Sequence, residues 1–448
     1  MLFITVTLFI LSFETAIFEV PIKAVTNISI ISDIIRKKEK KDTTPIIIAT
    51  IPLSIPSDTS AAHKDSIIKI FYSFSIPDRV TSYLADTSDV AINRFIQKLY
   101  DLKIGKKKKI RIAFFGDSMI EGDLISSTLR KLMQQKFGGY GVGFVPVTSI
   151  VANERITITH RFSDNWQDVN FKNHRFNTAP LYISGHTFFA SGKSTVQVED
   201  KTIEQDAPLN KYLLFGYANQ TIDINSNGVI KKLQPTGHFN EVLLDNSNER
   251  KIKIEVSDDN LPLYGLSLES PEGIIVDNFS YRGSAGIEYG KMDTDFLASI
   301  AKTHSYDLII MQYGVNLLEK PDDGNFDWYY KPMKIAVQRI QQSFKDADVL
   351  IMSTGDRAFH YPSGFQTATG LLALLNLQQR IAFETGSSFF NLYSSMGGEN
   401  SMVKWVTDNP PLAYKDYTHP NSRGADVIGK SIYNALLYEY NKIVIKNH

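Results

Sequence analysis

Ile110-Arg-Ile-Ala-Phe-Phe-Gly-Asp-Ser-Met-Ile-Glu-Gly-Asp123 is the stretch on which the architecture turns. An apolar run of strand length ends in a glycine, and a helical pattern resumes from about 123 to 136. A strand that is apolar on both faces belongs inside a parallel sheet covered by helices, not on a half-solvated one. The carboxyl end of such a strand is where an open α/β sheet binds ligands, and the helix that follows offers unpaired N–H groups. Ser118 stands at that point. Two roles are open to it from these residues alone: a nucleophile, given a base and a group to orient that base, or a helix cap.

Further along, the same strand pattern recurs at Gly273-Ile-Ile-Val-Asp277, Leu308-Ile-Ile-Met311, Val349-Leu-Ile-Met352 and Ser388-Phe-Phe-Asn-Leu392. Helical spacing is read near 291–303, 329–345, 366–385 and 423–441. This alternation predicts an α/β fold, a doubly wound parallel sheet of flavodoxin-like, three-layer type. Between 151 and 270 the period changes to two, as in Arg155-Ile-Thr-Ile-Thr159, Ser194-Thr-Val-Gln-Val198, Gln220-Thr-Ile-Asp-Ile224 and Lys251-Ile-Lys-Ile-Glu-Val256. Polar turn clusters separate these segments, so an inserted β-sandwich or jelly-roll domain is expected there, splitting the α/β domain into 106–150 and 271–445.

Before the first strand the chain is irregular. Residues 1–22 open with the apolar run Met1 to Phe13, which reads as a signal peptide or N-terminal membrane anchor, with a buried strand or helix as the plain alternative. An exported, periplasmic or envelope-associated protein is the resulting expectation. Residues 23–105 form a proline-punctuated lead-in with a helix near 88–102. Lysine plus arginine equals aspartate plus glutamate at 48 each, so no net field draws the protein to nucleic acid. The absence of cysteine from the 448 residues removes disulfides and thiolate chemistry.

Three further loops carry chemistry-bearing residues. Asp416-Tyr-Thr-His419 places an acid three residues before an imidazole, a spacing that lets the carboxylate fix the ring, though surface turns also favour both residues. Gly314-Val-Asn316 ends one strand, and Asn278 to Gly286 ends another. An asparagine amide and a bare glycine N–H are suitable oxyanion donors, and ordinary strand-end turns use the same residues. Gly283 is favoured over Gly286.

In that order, Gly116-Asp117-Ser118, Gly283, Gly314-x-Asn316 and Asp416-x-x-His419 resemble the four sequence blocks of the SGNH, or GDSL, hydrolases. The resemblance implies Ser118 as nucleophile, His419 as base and Asp416 as its acid, with an oxyanion hole of Ser118, Gly283 and Asn316. It departs from the usual pattern after the serine, where Met119-Ile-Glu-Gly replaces Leu-Ser-x-Gly. An SGNH domain interrupted by a β-sandwich resembles bacterial peptidoglycan O-acetylesterases, whose insert is similar to carbohydrate-binding modules. The activity so implied is removal of a small acyl group, acetyl above all, from a carbohydrate polymer. Acyl transfer to a glycan, or glycan binding without catalysis, are the alternatives. The partner is an acylated carbohydrate polymer.

No cofactor or metal is called for. His160, His174, His186 and His238 lack metal-ligand spacing, and the glycine run Phe137 to Pro146 lacks the ending of a phosphate loop. Trp166, Trp328 and Trp405 offer either sugar-stacking faces or core rings, and His360 is a candidate for the cleft wall.

Overall fold

The computed structural model describes residues 77–82, 91–174 and 179–446. The N-terminal apolar run and residues 23–76 and 83–90 of the lead-in lie outside the described residues, so the expectation of a signal peptide or anchor concerns residues outside them. Among the described residues no helix is long and apolar enough to cross a membrane.

In chain order the first elements are β1 (Val80–Thr81), α1 (Asn93–Lys103), β2 (Lys109–Gly116) and α2 (Ser126–Phe137). A run of strands follows: β3 (Gly143–Pro146), β4 (Ile158–Phe162), β5 (Trp166–Asn170), β6 (His186–Ala190), β7 (Ser194–Asp200) and β8 (Asn210–Gly216). It continues with β9 (Ile222–Ser226), β10 (Val229–Leu233), β11 (Phe239–Asp245), β12 (Lys251–Val256) and β13 (Leu263–Glu269). Alternation then returns with β14 (Gly273–Ser280), α3 (Thr294–Thr303), β15 (Leu308–Gln312), α4 (Asp327–Ser343) and β16 (Asp348–Met352). A hairpin of β17 (Ala358–Tyr361) and β18 (Gly364–Thr367) precedes α5 (Leu371–Glu384), β19 (Ser388–Phe390), α6 (Leu392–Met396), α7 (Ser401–Thr407) and α8 (Ser422–Lys446).

One sheet has the order β1-β19-β16-β15-β2-β14, parallel except for β1, which pairs antiparallel with β19. Taken by chain position, its parallel strands run 2-1-3-4-5, so the order reverses between β2 and β15. Side-chain alternation sends successive residues to opposite faces. Ala113 and Phe115 enter a core with Ile309, Met311, Leu297 and Val337, while Ile110, Ile112 and Phe114 enter another with Leu129, Ile432 and Leu436. Helices α3, α4 and α5 cover the first face, and α1, α2 and α8 the second. Burying a ring such as Phe115 contributes about 1.5–3 kcal/mol, which explains why the strand carries apolar residues on both sides.

Residues 143–269 hold two antiparallel sheets, β10-β9-β12-β7-β4 and β11-β8-β13-β6-β5, with β3 paired to β13. Both contribute to one apolar cluster that includes Val196, Ile254, Leu213 and Leu266. The second sheet is buried on its other face too, where Leu214, Phe239 and Tyr264 share the core of Phe279 and Phe296. A charged knot ties this sheet to the parallel one. Arg111 of β2 grips Glu269 of β13 through Nη1 and Nη2 at 2.7 and 2.9 Å and reaches Asp277 of β14 at 3.3 Å. Asp277 also accepts from Phe144 N–H at 2.8 Å and Tyr306 Oη at 3.0 Å, and His304 bridges it to Glu241 of β11. A knot whose members are all partnered holds the two layers in one register, because any slip strands a buried charge.

Candidate active site

The order reversal between β2 and β15 opens a crevice at the carboxyl ends of those strands. β2 ends at Gly116, where a side chain would meet Ile120 Cδ1 at 2.9 Å, and the chain turns through Asp117 to present Ser118 half-buried. His419 arrives from a turn just before α8. Its Nε2 lies 2.9 Å from Ser118 Oγ, and its Nδ1 lies 2.7 Å from Asp416 Oδ2. Asp416 Oδ1 also accepts the backbone N–H groups of Thr418 and His419, each at 3.0 Å, which locks the turn. Burial works against the Asp416 charge, but the bond and charge of His419 and the backbone N–H groups of His419 and Thr418 together more than offset it and hold the carboxyl below its ordinary range. The geometry allows His419 to accept the hydroxyl proton while a carboxylate fixes its tautomer.

Asn316 reaches the turn before Ser118 and ties it to the loop that carries Gly283. Gly283 is exposed, has φ +77°, and would place a side chain near nothing but Lys172 Nζ at 3.9 Å. Gly286 differs: there a side chain would strike the Tyr313 ring at 2.6 Å, so this glycine serves packing. Among the described residues neither the Ser118 nor the Gly283 N–H meets an acceptor. Gly314, at φ +133°, would drive a side chain to 2.7 Å from Thr354 Cβ, which explains the glycine two places before Asn316. The Asn316 amide is already engaged: Nδ2 donates to Asp117 Oδ2 at 3.1 Å and to the Ser284 carbonyl at 3.0 Å. For it to hold an oxyanion, one of those bonds must be shared or released.

Sequence reasoning missed several residues around the nucleophile. Asp117 is fully buried, and burial pushes its carboxyl up to about 7, against the pull of the Met119 N–H and of His419. Arg282 donates to Glu121 Oε2 through Nε at 2.7 Å and through Nη2, joining the turn after Ser118 to the residue before Gly283. Gly122, Asp123 and Ile125 all have positive φ, and Ile125, at φ 58° and ψ −58°, is the centre of a strained γ-turn. Asp123 holds this loop by accepting from Arg130, Ser126 and Thr157. The available signal was an acidic residue repeated at 117, 121 and 123 beside a buried strand.

The remaining candidates disperse. His160 is buried against the Val147 carbonyl, and burial lowers it to about 4. His186 pairs with Asp168 at 2.9 Å, Trp405 is buried, Trp328 is exposed, and Trp166 donates to the Thr195 carbonyl. His360 lies exposed on β17 against Phe365. No group of three or more histidines and carboxylates is placed to hold a metal ion among the described residues.

Fold and site together define a three-layer α/β protein with a hydrogen-bonded Ser–His–Asp series at the topological switch point. Its fold is similar to that of a solved peptidoglycan O-acetylesterase, with a TM-score of 0.64 at 21% identity over 78% of this chain and 96% of that one. A family two carbohydrate esterase from Cellvibrio japonicus aligns over 64% of this chain and 99% of its own, with a TM-score of 0.27 and 11% identity. An acetyl xylan esterase aligns over 36% and 81%, with a TM-score of 0.27 and 12% identity. No family model matches the chain, and no curated protein matches it by sequence.

Proposed function

We propose that this protein is an SGNH-type serine carboxylester hydrolase that removes a small acyl group, acetyl first, from a carbohydrate polymer, with peptidoglycan as the leading substrate. The observation that carries the reading is the continuous series Asp416–His419–Ser118, with separations of 2.7 and 2.9 Å. Ser118 Oγ attacks the ester carbonyl while His419 Nε2 takes its proton, and Asp416 stabilises the imidazolium. The negative charge that develops on the carbonyl oxygen is met by the Ser118 and Gly283 N–H groups and by one released Asn316 N–H. The proton on His419 passes to the departing sugar oxygen. Water, deprotonated by the same imidazole, then attacks the acyl-enzyme, releases the carboxylic acid and restores Ser118.

The substrate class draws support from the fold similarity to a peptidoglycan O-acetylesterase. In this reading residues 151–270 act as an inserted β-sandwich resembling carbohydrate-binding modules, and the apolar run at 1–22 directs export or anchors the chain at the envelope. The test is acetate release from O-acetylated peptidoglycan and from acetyl xylan by the native protein and by Ser118→Ala. Release that the variant abolishes supports hydrolysis. Equal, negligible release by both overturns it.

A further inference from the structure

The β17–β18 hairpin stands apart from both sheet systems, projecting after the carboxyl end of β16. It is nevertheless firmly tied down. Thr367 Oγ1 donates to Asp356 Oδ1 at 2.8 Å, and Thr367 and Asn400 exchange bonds at 2.7 and 3.0 Å. Ala358 N–H donates to the carbonyl of Tyr417 at 3.0 Å, and Tyr417 lies between Asp416 and His419.

At the far strand of this hairpin the Phe365 ring lies flat on the Tyr417 ring, with centroids 3.7 Å and planes 4° apart. His360 meets Phe365 at 5.2 Å and 85°. Tyr417 adopts φ 56°, a conformation that bulky residues rarely take and that surrounding structure must enforce. Beneath, Tyr417 packs on the apolar core; above, Phe365 stays 39% exposed, and its neighbour Gln366 is exposed. The ring is held rigidly and still keeps more than a third of its surface open to water. It offers a face for the C–H surface of a pyranose ring, and it is stacked on Tyr417, which is two residues from His419.

We propose that Phe365, backed by Tyr417, is a stacking platform for a pyranose ring of a glycan chain, bound beside the sugar whose ester Ser118 attacks. The site rests on the esterase reading for its place next to the reacting sugar, but its binding arm stands alone. The alternative role is structural, with Phe365 serving only as a cover for Tyr417. Leucine can supply a cover but no stacking face, and tryptophan supplies both.

Chitotetraose and xylotetraose, titrated calorimetrically into the full chain carrying Ser118→Ala, separate hexosamine from pentose recognition. Adding Phe365→Leu is expected to weaken the better tetrasaccharide about tenfold, while Phe365→Trp restores affinity. In the Ser118 background, Phe365→Leu should also lower, about tenfold, the ratio of kcat/KM on O-acetylated glycan to that on p-nitrophenyl acetate. Equal affinity in the Leu and Trp variants, no binding of either tetrasaccharide, or an equal loss on both esters overturns the platform. Failure of the native protein to hydrolyse p-nitrophenyl acetate or any acetylated glycan strikes the esterase reading instead, and the titrations still decide the platform.

Discussion

Arg130 clamps Asp123 with both terminal nitrogens, at 2.6 and 2.8 Å, although both side chains are buried. The pair sits under a loop whose Gly122, Asp123 and Ile125 all have positive φ, immediately after the nucleophile turn. Conformations of that kind persist only where their surroundings over-determine them. Here the surroundings are Arg130, Arg155, Ser126 and Thr157, the last lying just before β4.

Asp123→Asn leaves Arg130 buried without its counter-charge, so unfolding in urea should show a loss of about 3 to 5 kcal/mol. The Asp123 carboxyl is held well below the ordinary carboxylate range: burial opposes its charge, but Arg130 and Arg155 more than offset this. Its contribution is therefore present above the unfolded-state value and is lost as pH falls through the acid range. The native protein should lose stability on acidification more steeply than the variant.

Asp117 has the opposite sign. Burial raises its folded-state carboxyl to about 7 from the ordinary 3.8, so between those limits the folded chain holds a proton that the unfolded chain has released. Stability then falls as pH rises across that window. Asp117→Asn removes the titration. The difference in Tm, variant minus native, should increase from pH 4 to pH 8; a flat difference would contradict the burial argument.

Asn316→Ala deletes the side-chain donor and its hold on Asp117 and the Ser284 carbonyl. A loss of about 10²–10³ in kcat on an acetyl ester, with a smaller change in KM, is expected if the amide turns to the oxyanion in the transition state. A change confined to Tm would assign Asn316 to holding the loop.

The two glycines after β14 should separate cleanly. Gly286→Ala forces a methyl against the Tyr313 ring, 2.6 Å from its edge, and should cost about 2 kcal/mol or more in unfolding experiments. Gly283→Ala meets open space, so only its φ of +77° opposes the change, at about 1–2 kcal/mol. Yet it crowds the face where an ester carbonyl would sit. Its kcat/KM should fall about tenfold or more, and steady-state kinetics beside thermal melts would reveal the contrast.

Much of this was readable in the residues because each strand of the parallel sheet announces itself locally, and the site loops follow directly from strand ends. Ile110 to Phe115 needed no partner to be read as buried, and Asp416-x-x-His419 encodes its own geometry within one turn. The hairpin at 358–367 escaped, since its strands are four residues each and Phe365 borders a stretch read as helix from 366. Arg111 and Asp277 interrupt otherwise apolar strands, which signals a buried charge, but their partner Glu269 is fixed only by tertiary pairing. Nor does spacing reveal that Asn316 turns onto Asp117, because that bond joins residues 199 positions apart.

The bond between Ser118 and His419 closes a loop of 301 positions. About two thirds of the chain lies within that loop, so the meeting of hydroxyl and imidazole belongs among the late, non-local events of folding. Ester turnover during refolding would thus act as a clock for the final closure of the molecule, lagging behind the recovery of helical signal.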